Sequence, residues 1–123
     1  MERFEILGID NQPSVVIDPD YGQMEFKCNL KDFNIAAHCE SVLNKIKEYF
    51  YNPQTVTNII FSVKEFNPTT AKWLLPVFKT IKYYKDKGYF INIKWYLEKY
   101  DDNYKTAIDY CQVIDLPIKI MAV

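Results

Sequence analysis

Apolar and polar positions change period several times along the chain, and each change marks an element. Residues 24–30 set Met24, Phe26, Cys28 and Leu30 against polar neighbours, which predicts a half-buried strand. Before it, residues 14–17 are a short β-branched run, and Asp18-Pro19-Asp20-Tyr21-Gly22 is strong turn chemistry. Together they read as a hairpin. Residues 4–9 are a candidate first strand, ended by Asn11-Gln12-Pro13. The period then turns helical. Ile35, Cys39, Val42, Leu43, Ile46 and Phe50 share one face, Glu40, Lys45 and Lys47 the other, and Asn52-Pro53 ends the run. Val56–Val63 is apolar enough for a central strand. A second helix runs to about Lys87, with Ala71, Leu74, Leu75, Phe78, Ile81 and Tyr84 or Lys85 inward and Gly88 as its C′ residue. Residues 89–97 form a strand with Ile91, Ile93 and Trp95 on one face. Asp101 or Asp102 caps a weaker third helix through Asp109 or Cys111, and residues 117–122 close the chain as a strand.

The predicted order is an N-terminal β-hairpin followed by α-β-α-β-α-β. Strands separated by helices pair in parallel through right-handed crossovers. The hairpin adds antiparallel strands, so the class is α/β with a mixed sheet, and helices cover at least one face.

Composition narrows the function more than the fold. A length of 123 residues predicts one domain, and 49% apolar residues are enough for one core. Aromatics reach 16%, with ten Tyr and eight Phe, which serves cores and interfaces alike. Fifteen basic against 16 acidic residues leave a net charge of −1, which argues against nucleic acid as the main partner. No apolar run approaches the roughly 20 residues of a membrane span. Met1-Glu2-Arg3-Phe4-Glu5 lacks the basic start of a secretory signal. The expectation is a cytoplasmic protein with no membrane partner. Cys28, Cys39 and Cys111 are few, scattered and outside any CxxC, so they read as reduced, mostly buried small apolar residues.

Catalytic constellations are nearly absent. The single histidine, His38, reads as a surface or boundary residue of the first helix. No nucleophile elbow, P-loop or dinucleotide fingerprint occurs, and no cluster has metal-ligand spacing, so neither cofactor nor metal is expected. Asp101-Asp102 is in reach of Mg²⁺ chemistry but fits a helix cap better. Residues 79–87 interleave lysine and tyrosine, as single-strand nucleic-acid binders do, but the spacing is that of an ordinary amphipathic helix.

One segment combines polar chemistry with a constrained position. Phe66-Asn67-Pro68-Thr69-Thr70-Ala71-Lys72-Trp73-Leu74-Leu75 joins a strand to a helix start. Asn67 suits the N-cap and Pro68 the first helical position. Thr69 and Thr70 sit where a helix offers N–H groups and positive dipole potential. Two readings stand side by side: hydroxyls that merely decorate the first turn, or a site that holds or carries a phosphate.

That segment resembles the Asn-Thr-Ser-Ser turn of the SiaC family of bacterial regulatory phosphoproteins. Residues 55–63 resemble the preceding strand. Ile93-Lys94-Trp95-Tyr96, with Glu98 and Asp101-Asp102, is similar to the family's aromatic strand end and acidic loop. Asp109-Tyr110 and Ile114-Asp115-Leu116-Pro117 resemble its closing segment, and Pro13-Ser14-Val15, Asp18-Pro19 and Gly22 fit its start. The likeness covers nearly the whole chain and implies a STAS-like fold. It also implies a non-enzymatic protein that works by partner switching. A histidine-kinase-like Ser/Thr kinase and a PP2C-type phosphatase write and erase a phosphate, and the unmodified form binds a target such as a diguanylate cyclase that controls biofilm formation.

Two departures stand out. Pro68 occupies the position after Asn67 where the family carries its phosphorylated hydroxyl, which leaves Thr69 and Thr70 as the candidate sites. At Lys31-Asp32-Phe33-Asn34, where many relatives have Pro-Glu-Asn, only Asn34 matches. In the expected switch Asn67 and Pro68 shape the turn, and Lys72, Trp95 and Tyr96 are interface candidates. The alternatives are a constitutive binding module of the same fold and, third, a small-ligand sensor with a pocket at the Asn67 helix start.

Overall fold

Every-other-residue burial runs through four neighbouring strands and sets the plan of the molecule. The computed structural model describes residues 1–8, 12–28, 35–63, 66–97 and 104–122. The strands are β1 (Phe4–Ile6), β2 (Ser14–Asp18), β3 (Gln23–Cys28), β4 (Val56–Val63), β5 (Phe90–Leu97) and β6 (Lys119–Ala122). The helices α1 (Ile35–Tyr49), α2 (Pro68–Asp86) and α3 (Tyr104–Ile114) fall between the last four of them. All six strands join one sheet in chain order. β1, β2 and β3 pair antiparallel, and β3 to β6 pair parallel. The expected hairpin is therefore the inner part of a three-stranded meander, because the candidate first strand does form, at the sheet edge. The expected central place of Val56–Val63 holds.

Because strand order follows chain order, three right-handed crossovers place all three helices on the same side. Val15, Ile17, Met24, Phe26, Cys28, Ile59, Phe61, Val63, Ile91, Ile93, Trp95 and Leu97 face them and are buried. Alternate residues face the other side and are half-buried or exposed. Much of the aromatic excess is packing. Phe26 stacks on Phe61 at 4.8 Å, Phe61 meets Phe78 edge-on at 4.8 Å, and Phe26 meets Trp73 at 6.2 Å. Where α1 ends, the buried Tyr49 hydroxyl bonds the Thr57 hydroxyl at 2.9 Å and accepts from the Gln54 N–H at 3.1 Å. That network satisfies the polar groups buried there.

α2 is rotated from the expected face. Thr70, Trp73, Leu74, Val77, Phe78 and Ile81 are buried, whereas Ala71 and Leu75 are only partly so. The large Trp73 ring gains most from burial and takes the sheet side. The helix also continues through Pro76, which lacks the N–H that would bond the Lys72 carbonyl. At its end Gly88, with φ of 100°, closes the helix as expected: its N–H bonds the Lys85 carbonyl and the Tyr89 N–H the Tyr84 carbonyl. α3 runs past the expected end to Ile114 and stops where Asp115 adopts a left-handed φ of 58°. The expected features at Asn11, at Lys31, Asp32, Phe33 and Asn34, at Glu98, and at Asp101 and Asp102 lie outside the described residues, as does the side chain of His38.

Cys28, Cys39 and Cys111 are free thiols and buried. Burial pushes all three up from an ordinary value of 9.0, Cys111 to about 12. Thiolate is the reactive form, so native protein at pH 8 should resist iodoacetamide at all three sites, and mass spectrometry should find alkylation only after unfolding. The same shifts carry a pH dependence. Above about pH 9 the unfolded chain loses thiol protons that the native state keeps, so stability should fall as pH rises beyond that point.

Candidate functional site

The turn between β4 and α2 is fastened from three directions. Asn67 has an extended backbone (φ −118°, ψ 173°) and caps α2, its Oδ1 accepting from the Thr70 N–H at 2.8 Å. The Ala71 N–H bonds the Asn67 carbonyl at 2.9 Å and starts the helical ladder. Just before the cap, Phe66 is buried between Trp95 of β5 and Tyr110 of α3, with ring centroids 5.2 Å from each. From α3, the Tyr110 hydroxyl donates to the Ala71 carbonyl at 2.8 Å. Burial first, and then neighbouring Cys111, push the Tyr110 phenol above its ordinary range. The phenol therefore stays a neutral donor, and α3 is tied to the first turn of α2.

This geometry sorts the candidates. Pro68 and Lys72 are exposed, Asn67 and Thr69 are half-exposed, and Thr70 is fully buried. Thr70 is the third helical residue, and at that position the chain turns inward toward the sheet. A modifying enzyme would have to open the helix start to reach its hydroxyl, whereas Thr69 is presented at the rim. Lys72 lies three residues after Thr69, one turn along the same helix face. The N–H cradle expected of a helix start is reduced, since Pro68 has none and that of Thr70 is used by Asn67.

Trp95 and Tyr96, read from the sequence as one strand-end interface, separate. Period-two alternation sends adjacent residues to opposite faces. Trp95 is 0% exposed and supports Phe66 from below, while Tyr96 is half-exposed on the helix-free side of the sheet. The structure therefore brings Asn67, Pro68, Thr69 and Lys72 into one surface patch, sets Trp95 beneath it and leaves Tyr96 elsewhere. Sequence reasoning gave Phe66 and Tyr110 no role. Phe66 carried a signal, an apolar residue directly before an N-cap. Tyr110 carried none, because its partners lie far away in the chain. Among the described residues no group of three His, Cys, Asp or Glu side chains is placed to hold a metal ion, and no helix is long and apolar enough to cross a membrane.

A family model described as SiaC family regulatory phosphoprotein matches residues 6–123. The fold is similar to the crystal structure of apo-SiaC from Pseudomonas aeruginosa, with a TM-score of 0.84 and 15% identity over 99% of this chain and 100% of that one. It is equally similar to a chain in the crystal structure of diguanylate cyclase SiaD in complex with its activator SiaC from the same organism. There the TM-score is 0.84 and the identity 13%, over 98% of this chain and 99% of that one. No curated protein matches this sequence. At such identities the structural likeness is one of fold.

Proposed function

This chain belongs to the SiaC family of regulatory phosphoproteins, and from that premise we propose that it is a non-enzymatic partner-switching protein controlled at Thr69. A cognate kinase of the histidine-kinase-like Ser/Thr type modifies Thr69, and a PP2C-type phosphatase reverses the change. The unmodified α2 start docks on a target protein, a diguanylate cyclase being the favoured class because SiaC itself is described as an activator of one. The observation that carries this reading is the exposure pattern at the turn. A half-exposed threonine stands one residue after Pro68, the position that the resemblance assigns to the phosphorylated hydroxyl, on a helix start fastened by Asn67, Phe66 and Tyr110. Phosphate adds about −1.5 to −2 charges there. Such a dianion gains from the helix dipole and pairs with exposed Lys72. It changes the face that a partner meets without disturbing the core beneath.

The experiment is phosphopeptide mapping of the protein incubated with ATP and its cognate kinase, beside intact-mass analysis. One phosphate on Thr69 is the expected result, and its absence from Thr69 would sink the switch. Pro68 favours one second reading: a constitutively docking module of the same fold, in which the turn binds its partner and is never modified.

A further inference from the structure

Sheets built from parallel strands are as a rule covered on both faces. Here β3 to β6 are parallel and all three helices lie on one side, so among the described residues the other face is bare. Register places Val16, Ile60, Tyr96 and Met121 on it, each half-buried. Beside them lie the paired residues Val56 and Phe90, exposed by 41% and 72%.

The charges on this face are sorted across the sheet. β1, β2 and β3 carry Glu5, Asp18 and Glu25. Among the described residues the cations on that half are Lys27 and Arg3, and Arg3 sits 3.8 Å from Glu5. β4 contributes the neutral Asn58, Ile60 and Ser62. β5 and β6 carry Lys94 and Lys119, with no acid at the described positions of this face.

We propose that a second copy of this chain docks on the bare face, related by a two-fold axis that runs along β4. Acid on one flank, base on the other and an uncharged centre make the face complementary to itself under that rotation. The axis sets β3 of one copy over β5 of the other. Glu25 and Lys94 occupy the same register row, so each faces the other's counterpart and the pair forms twice. β2 falls beneath β6, which brings Lys119 over the strand of Asp18, and Ile60 meets its own copy. An axis across the strands would instead stack acidic β1 to β3 on themselves. Five strand spacings of about 4.8 Å and strands of about 20 Å give a face of roughly 500 Å² in projection. That extent lies at the low end for a stable interface, so the dimer is weak and depends on concentration and salt.

Sedimentation velocity from about 1 μM to about 1 mM tests this. The mass should rise from the 14.6 kDa of one chain toward twice that value, and fall back in high salt. Lys94→Glu and Glu25→Lys should each leave a monomer with an unchanged circular dichroism spectrum, since both side chains lie on the helix-free face. The charge-swapped double variant should dimerise again. A wild-type protein that stays monomeric at the top concentration overturns the proposal. So do single variants that dimerise like the wild type, and so does a double variant that fails to regain association. Should either charge reversal disturb folding, Lys119→Glu serves as the check, with weaker association expected and unchanged association counting against the proposal.

Discussion

Trp95→Ala should destabilise the protein by about 3–5 kcal/mol, the usual range for emptying a large aromatic site in a core. The melting temperature should fall by on the order of 10–20 °C for a chain of this size. Trp95 is 0% exposed in a strand flanked on both sides, and its ring packs against Phe66 at 5.2 Å and Phe78 at 5.8 Å. Removing it leaves a cavity beneath both the Asn67 turn and the middle of α2. Trp95→Phe should be far milder, with a loss of about 1 kcal/mol. Among the described residues the buried indole Nε1 has no hydrogen-bond partner, and phenylalanine relieves that desolvation cost of about 1–3 kcal/mol while keeping most of the ring. Denaturant titration of the two variants checks both numbers. A Trp95→Ala midpoint close to the wild-type value would mean that Trp95 is not core, and its place in a partner interface would have to be restored. Tyr96→Ala, altering the half-exposed neighbour, provides the contrast, with a much smaller stability loss expected.

Trp95 also shows where the sequence was legible and where it was not. Alternation in residues 89–97 put Ile91, Ile93 and Trp95 on one face, and that face is the buried one. The same alternation excludes Trp95 and Tyr96 from a shared surface, so grouping them as one interface set aside a rule already used for the strand. The Asn67 cap and Pro68 at the first helical position were readable because both act within a few residues of chain. Burial of Thr70 was not. It depends on how α2 rotates over the sheet, and the rotation is set by Trp73 meeting Phe26 from a distant strand. Tyr110 holding the Ala71 carbonyl is a contact between residues 39 apart, and no local pattern encodes it. Strand order and the bare face follow from chain order plus crossover handedness, but only once the neighbours of each strand are known. What the sequence carried was therefore the local chemistry of the turn, and what the fold adds is which of its two threonines reaches the surface.

The second large effect separates switch from scaffold at that hydroxyl. Thr69→Asp should weaken binding to the target protein at least about tenfold, roughly 1.4 kcal/mol, while Thr69→Ala should bind nearly as the wild type does. The aspartate puts a negative charge on the exposed first turn, beside Lys72 and Pro68, at the surface proposed to dock. It mimics part of the charge of a phosphate without its full −1.5 to −2 or so, so full phosphorylation should weaken binding further. Stability should move the other way. An acidic residue in the first turn is favourable to the helix dipole, by about 0.3–1 kcal/mol, and Thr69 is not a core residue whose replacement opens a cavity. A variant that loses its partner while melting no lower than the wild type cannot have lost it through unfolding. Calorimetric titration against the partner recovered from native cells, paired with thermal melts, reads both quantities. If Thr69→Asp binds as tightly as the wild type, the turn docks without a switch and the constitutive reading that Pro68 favours replaces the phosphorylation one. If binding is lost together with several degrees of melting temperature, Thr69 is structural, and neither reading of the turn as an independent control point survives.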